Sequence, residues 1–186
     1  PDFPNVKLMP LWHGTKPHVM ESIFKTGYAN LATTDEGFFG KGIYSTCDAE
    51  YAHRCYSQGA LIVNWISAYS AYPVIHSNMN ETIFKDPVLK SKSMIGKANK
   101  GNYDAHFVPV VPQNPNNPHE MIYWPCKPNQ PSVYTEVVVF EASQCLPRYV
   151  VELQAILPKS MPSSLPPIPA PFPIELNATP QALVPQ

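Results

Sequence analysis

An α+β domain built on mainly antiparallel sheets is what this sequence predicts, and three observations predict it. Runs of β-forming residues recur along the chain, at Val6–Trp12, Leu61–Tyr69, Tyr134–Phe140 and Arg148–Leu153. Only two stretches carry a clear helical pattern, one opening at Lys16-Pro17 and one running from Ala49 to Tyr56. With 186 residues there is room for one ordinary domain with a sizeable core and little for a second.

Taken in order, Val6-Lys7-Leu8-Met9 and Leu11-Trp12 suggest an opening strand. Pro17 suits a first helical position, because its missing N–H would have had no partner there, and Val19, Met20, Ile23 and Phe24 are expected to share one face. Gly27 ends that helix. Gly37 to Gly42 is a glycine-punctuated loop leading into Ile43-Tyr44-Ser45, and in the second helix Ala49, Ala52 and Tyr56 are expected on one side. Leu61 to Tyr69 reads as a long strand. From His76 to Pro131 the chain is rich in Pro, Asn and Lys and is expected to be mostly irregular, with a short strand over Ala105–Val111. Tyr134–Phe140 and Arg148–Leu153 finish the domain.

Composition changes near Leu157, after which Pro158, Pro162, Pro166, Pro167, Pro169, Pro171 and Pro173 interrupt every helix or strand. Residues 1–156 are therefore expected to form the domain and 157–186 a Pro-rich tail. A plain linker or terminus is the simplest reading of this tail, while Leu165, Ile168 and Phe172 also suit an extended path along the domain or capture by a partner that reads Pro-rich segments. No helical stretch precedes Val6, so an autoinhibitory helix within this chain is not expected.

A net charge of -1 and 15% charged residues argue against an electrostatically driven nucleic-acid binder. Nucleic acid remains open as a substrate. No apolar run approaches the ~20 residues a membrane-spanning helix needs. Four irregularly spaced cysteines make no disulfide framework, which points to a reducing, intracellular compartment, cytoplasmic or nuclear. Cys47, His53 and Cys55 approach a ligand cluster without matching a zinc spacing, so no metal is expected.

Three stretches carry chemistry. His13-Gly14-Thr15 closes the first strand, Gly40-Lys41-Gly42-Ile43-Tyr44 enters the next, and Glu136 is a lone carboxylate in the apolar strand Tyr134-Thr135-Glu136-Val137-Val138-Val139-Phe140. Singly, each has a plain reading: a half-buried histidine, a rim tyrosine, an edge-strand charge. Together and in this order they resemble the diphtheria-toxin-like ADP-ribosyltransferases, in particular the poly(ADP-ribose) polymerase catalytic domain. The resemblance covers roughly residues 6–154. It implies two packed, mainly antiparallel sheets around an NAD cleft with flanking helices.

The resemblance also implies roles. His13 would hold a ribose hydroxyl of NAD, while Gly14, with Thr15 beside it, would offer backbone groups to the nicotinamide carboxamide. Tyr44 would stack on the nicotinamide ring, with Tyr56 as second stacking partner and Tyr51 as the alternative. Glu136 would bind the ribose 2′-hydroxyl and stabilise the cation-like transition state of ADP-ribose transfer to a protein or nucleic-acid acceptor. Glu141 is set aside, because strand alternation puts it on the opposite face. Two positions depart from the family: directly after Tyr44, where an aromatic is common, stands Ser45, and eight residues after Tyr44, where a serine hydroxyl usually binds the carboxamide, stands Ala52. Its missing hydrogen bond is worth ~0.5–1.5 kcal/mol unless Ser57 or a water substitutes. Ala52 keeps a catalytically weak binding module open as an alternative, and water as acceptor would make an NAD glycohydrolase. Lys90, Lys92, Lys97 and Lys100 concentrate positive charge on the expected acceptor side, where solvent is the simplest partner for most of them.

Overall fold

A computed structural model describes residues 5–29 and 37–153. The Pro-rich tail, 157–186, lies outside the described residues. Within them the element order is β1 (Lys7–Thr15), α1 (Pro17–Thr26), β2 (Ile43–Thr46), α2 (Ala49–Tyr56), β3 (Ala60–Ala68), β4 (Ala71–Pro73), α3 (Glu81–Lys85), α4 (Pro87–Lys92), β5 (Ala105–Pro112), β6 (Tyr123–Pro125), β7 (Tyr134–Val139) and β8 (Cys145–Glu152). This is the α+β architecture that the sequence predicts.

The strands run in the order β4-β5-β7-β2-β1-β3-β8, with β6 paired to β5. All pairs are antiparallel except β4 with β5. Two ladders make up this order. In one, β1 pairs with β3 along its whole length, from Lys7 opposite Ala68 to Thr15 opposite Ala60, and β8 lies on the far side of β3. In the other, β7 sits between β2 and β5. Among the described residues the ladders meet at one register pair, Trp12 opposite Thr46. The eight strands thus form one continuous sheet whose two ladders join at this seam.

Strand alternation divides the core. Val137 and Val139 face a cluster with Leu11, Ile62, Ile66 and the α1 residues Met20 and Ile23, whereas Val138 faces a second, aromatic cluster with Phe39, Tyr51, Tyr123 and Trp124. Tyr134 and Glu136 share the face of Val138, so the carboxylate projects to the aromatic side.

Both expected helices form, with corrections to their faces. In α1 Met20 and Ile23 are buried and Phe24 packs partly against them, but Val19 is exposed, because it lies about 100° round the helix from Met20, at the margin of the stripe. Gly27 supplies the C-cap at φ 79°. In α2 the buried pair is Tyr51 and Ala52; Ala49 is only partly buried and Tyr56 is exposed. Asp48 caps this helix by accepting the Tyr51 N–H at 2.8 Å.

The interval from His76 to Pro131 holds more order than its composition suggests. Besides the expected strand it forms α3, α4 and β6. The two helices bury no residue, so no apolar stripe announces them. Local capping makes them: Asn80 accepts from the Ile83 N–H, and Asp86 accepts from Val88 and Leu89 just ahead of Pro87.

Candidate active site

The first motif ends β1 and the second enters β2, and the seam brings them together. His13 Nδ1 lies 2.7 Å from the Tyr44 carbonyl oxygen. A carbonyl only accepts, so Nδ1 carries the proton and the neutral ring keeps its Nε2 lone pair for an external donor. Burial lowers the His13 pKa, opposed by this backbone bond, and the neutral form is favoured. Tyr28 packs edge-on against the imidazole at 5.3 Å and is held in turn by the Asn64 side-chain amide at 2.7 Å.

Gly14 explains its identity through packing. A Cβ there would meet the Ala52 carbonyl oxygen and the Ser57 nitrogen, each at 2.6 Å, so the end of α2 sits directly on β1. The glycine expected to admit a planar ligand also admits a helix. Tyr44 is tied to its own loop: its hydroxyl donates to the Gly40 carbonyl and accepts the Phe39 N–H, both at 2.7 Å. These bonds fix the ring at the loop's edge.

Glu136 is 2% exposed. Its Oε1 accepts from the Tyr51 hydroxyl and from the Tyr56 hydroxyl, the latter at 2.6 Å, while Oε2 is buried and has no partner among the described residues. Burial raises the carboxyl pKa and the two phenols pull it back down. Glu141 is exposed and caps the short 3-10 turn Ala142–Gln144.

His13, Gly14, Tyr44, Tyr56 and Glu136 line one cavity of 650 Å³. That volume suits a dinucleotide-sized or smaller ligand. Two other expected residues are elsewhere. Thr15 is buried with its carbonyl accepting from Gln58, and it does not line the cavity. Ala52 is fully buried, with its side chain in an apolar cluster with Leu61 and Val151. Ser57, the suggested substitute donor, is also absent from the lining, and its hydroxyl accepts from Gly59. Of the four lysines only Lys90 reaches this cavity, its ammonium 5.1 Å from the centre of the Phe84 ring; Lys92, Lys97 and Lys100 line a separate cavity of 560 Å³.

The two tyrosines offered by α2 differ in exposure. Tyr51 is 1% exposed and one of its faces is covered by the stacked Tyr134 ring, whereas Tyr56 is 39% exposed. Both line the cavity, and Tyr56 is the more open of the two. Sequence reasoning missed Phe84 and Tyr123 in the cavity wall, and Tyr134 behind Tyr51. Tyr134 had a signal, since it stands two residues before Glu136 and therefore on the same strand face. Among the described residues no group of three or more His, Cys, Asp or Glu side chains is gathered as for a metal, and no helix is long and apolar enough to cross a membrane.

The arrangement can seat a hydroxyl-bearing ligand between a neutral imidazole and an ionisable carboxylate, beside an aromatic wall. A search of curated proteins returned no match. The family model of the poly(ADP-ribose) polymerase catalytic domain matches residues 4–155. This chain belongs to the poly(ADP-ribose) polymerase catalytic-domain family, whose fold is the ADP-ribosyltransferase fold and whose substrate is NAD.

Proposed function

We propose that this domain transfers ADP-ribose from NAD to a macromolecular acceptor and releases nicotinamide, with Glu136 as the catalytic carboxylate. The observation that carries the reading is Glu136 Oε2, a buried oxygen with no partner among the described residues, in a side chain that lines the same cavity as His13 and Tyr44. A buried polar atom of this kind needs a partner, and a ligand hydroxyl supplies one. In the reaction the bond between ribose C1′ and the nicotinamide nitrogen breaks, its electron pair leaves with nicotinamide, and the acceptor nucleophile bonds to C1′. Positive charge builds on the ribose, and the fixed carboxylate stabilises it while taking the 2′-hydroxyl hydrogen bond. His13 holds a second ribose hydroxyl through Nε2, and Tyr44 with Tyr56 flanks the nicotinamide ring.

The acceptor is proposed to be protein. The test incubates the domain with labelled NAD, alone and with cell extract, and follows nicotinamide release and label on macromolecules. Label on protein that is lost in Glu136→Gln is the expected result. Label on nucleic acid changes the acceptor class, nicotinamide without label makes water the acceptor, and neither signal reduces the domain to a binding module.

A further inference from the structure

Glu136 is held from one side only. Its Oε1 takes both phenolic hydrogen bonds, which fills the two lone pairs of that oxygen and leaves Oε2 as the atom still able to accept. The Tyr51 donor is itself fixed. Its ring stacks on Tyr134 at 4.5 Å with 14° between the planes, and Tyr123 packs edge-on at 4.8 Å. Tyr134 shares a strand face with Glu136, so the strand that carries the carboxylate also carries the ring that locks its donor. Tyr56 donates from a more exposed position at the end of α2.

We propose that Tyr51 is a positioning residue for Glu136: its phenol, clamped by Tyr134 and Tyr123, turns the carboxylate so that Oε2 alone is offered to a ligand hydroxyl. The inference rests on Glu136 being the transfer carboxylate and adds what sets its orientation. The terminal torsion of a glutamate is broad and roughly two-fold, so an unheld carboxylate would present either oxygen. Fixing it during folding removes that reorientation from the reaction step, where preorganised charge is most effective. The same bond favours the anion against the effect of burial.

Tyr51→Phe keeps the ring and its stack and deletes the hydroxyl. The expected result is a fall of about 10–100-fold in kcat, the size of a hydrogen bond to a charged group, with KM for NAD nearly unchanged. The acid limb of the kcat profile moves to higher pH. Placing 3,5-difluorotyrosine at position 51 strengthens the donor with little change of shape, and it moves that limb to lower pH. Wild-type kcat with an unmoved limb in both variants overturns the proposal. A readout without turnover separates this from the transfer reading: the infrared carboxyl band of Glu136, identified by its loss in Glu136→Gln, titrates higher in Tyr51→Phe. If the wild-type domain releases no nicotinamide, transfer fails; if the band does not shift, positioning fails.

Discussion

His13 and Tyr44 share one hydrogen bond, imidazole Nδ1 to main-chain oxygen at 2.7 Å, so residues 31 positions apart are set in register at the mouth of the cavity. Removing the ring removes both the tie and the Nε2 acceptor. His13→Ala is expected to lower kcat/KM for NAD about 10–100-fold, mostly through KM, because the lost bonds are made in the ground state as well as in the transition state. Steady-state nicotinamide release checks this.

Glu136 links stability to pH. Burial raises its pKa in the folded state, so the folded state holds the proton more tightly than the unfolded chain does. Its contribution is therefore fully present below the unfolded value and is lost as pH rises through the folded pKa. Glu136→Gln keeps an acceptor for the two phenols and does not ionise. The thermal transition of the variant should gain on the wild type as pH rises through that window. Paired melting curves from acid to neutral pH measure the difference, and a constant difference would contradict the buried carboxylate.

Gly14→Ala places a methyl carbon 2.6 Å from two backbone atoms at the end of α2. Backbone cannot swing aside as a side chain does, so overpacking of about 1–3 kcal/mol is expected. Denaturant unfolding gives the number. Loss of NAD affinity with unchanged stability would show instead that the glycine serves the ligand alone.

Ala52→Ser restores the residue usual in the family. Because this side chain is fully buried in an apolar cluster away from the cavity, the hydroxyl should leave KM for NAD within about two-fold and cost about 1 kcal/mol of stability. A marked gain in NAD affinity would mean that the α2 register shifts when ligand binds.

Much of this was legible in the chain because the signals were local. Pro17 and Gly27 bound α1, the valine run marks β7, and the ordered motifs name His13, Tyr44 and Glu136, which line one cavity. What escaped was whatever depended on distant partners. Nothing around Tyr51 says that Tyr134, over eighty positions later, will stack on it, so the sequence places Ala49, Ala52 and Tyr56 on the inner face of α2, of which Ala52 alone is fully buried. The α3 and α4 helices escaped for a different reason. Their caps are single residues, and they bury no stripe whose periodicity could be read.

The seam has a consequence for how variation can accumulate in this domain. Trp12 lies opposite Thr46, and Thr46 lies opposite Glu136, so one row of backbone crosses from the ladder that carries His13 to the ladder that carries the carboxylate. Beside this register pair the ladders are held together by the His13–Tyr44 bond and by the packing of Val137 and Val139 against Leu11, Ile62 and Ile66. Substitutions at Trp12 or Thr46, which do not line the cavity, therefore act on the distance between imidazole and carboxylate.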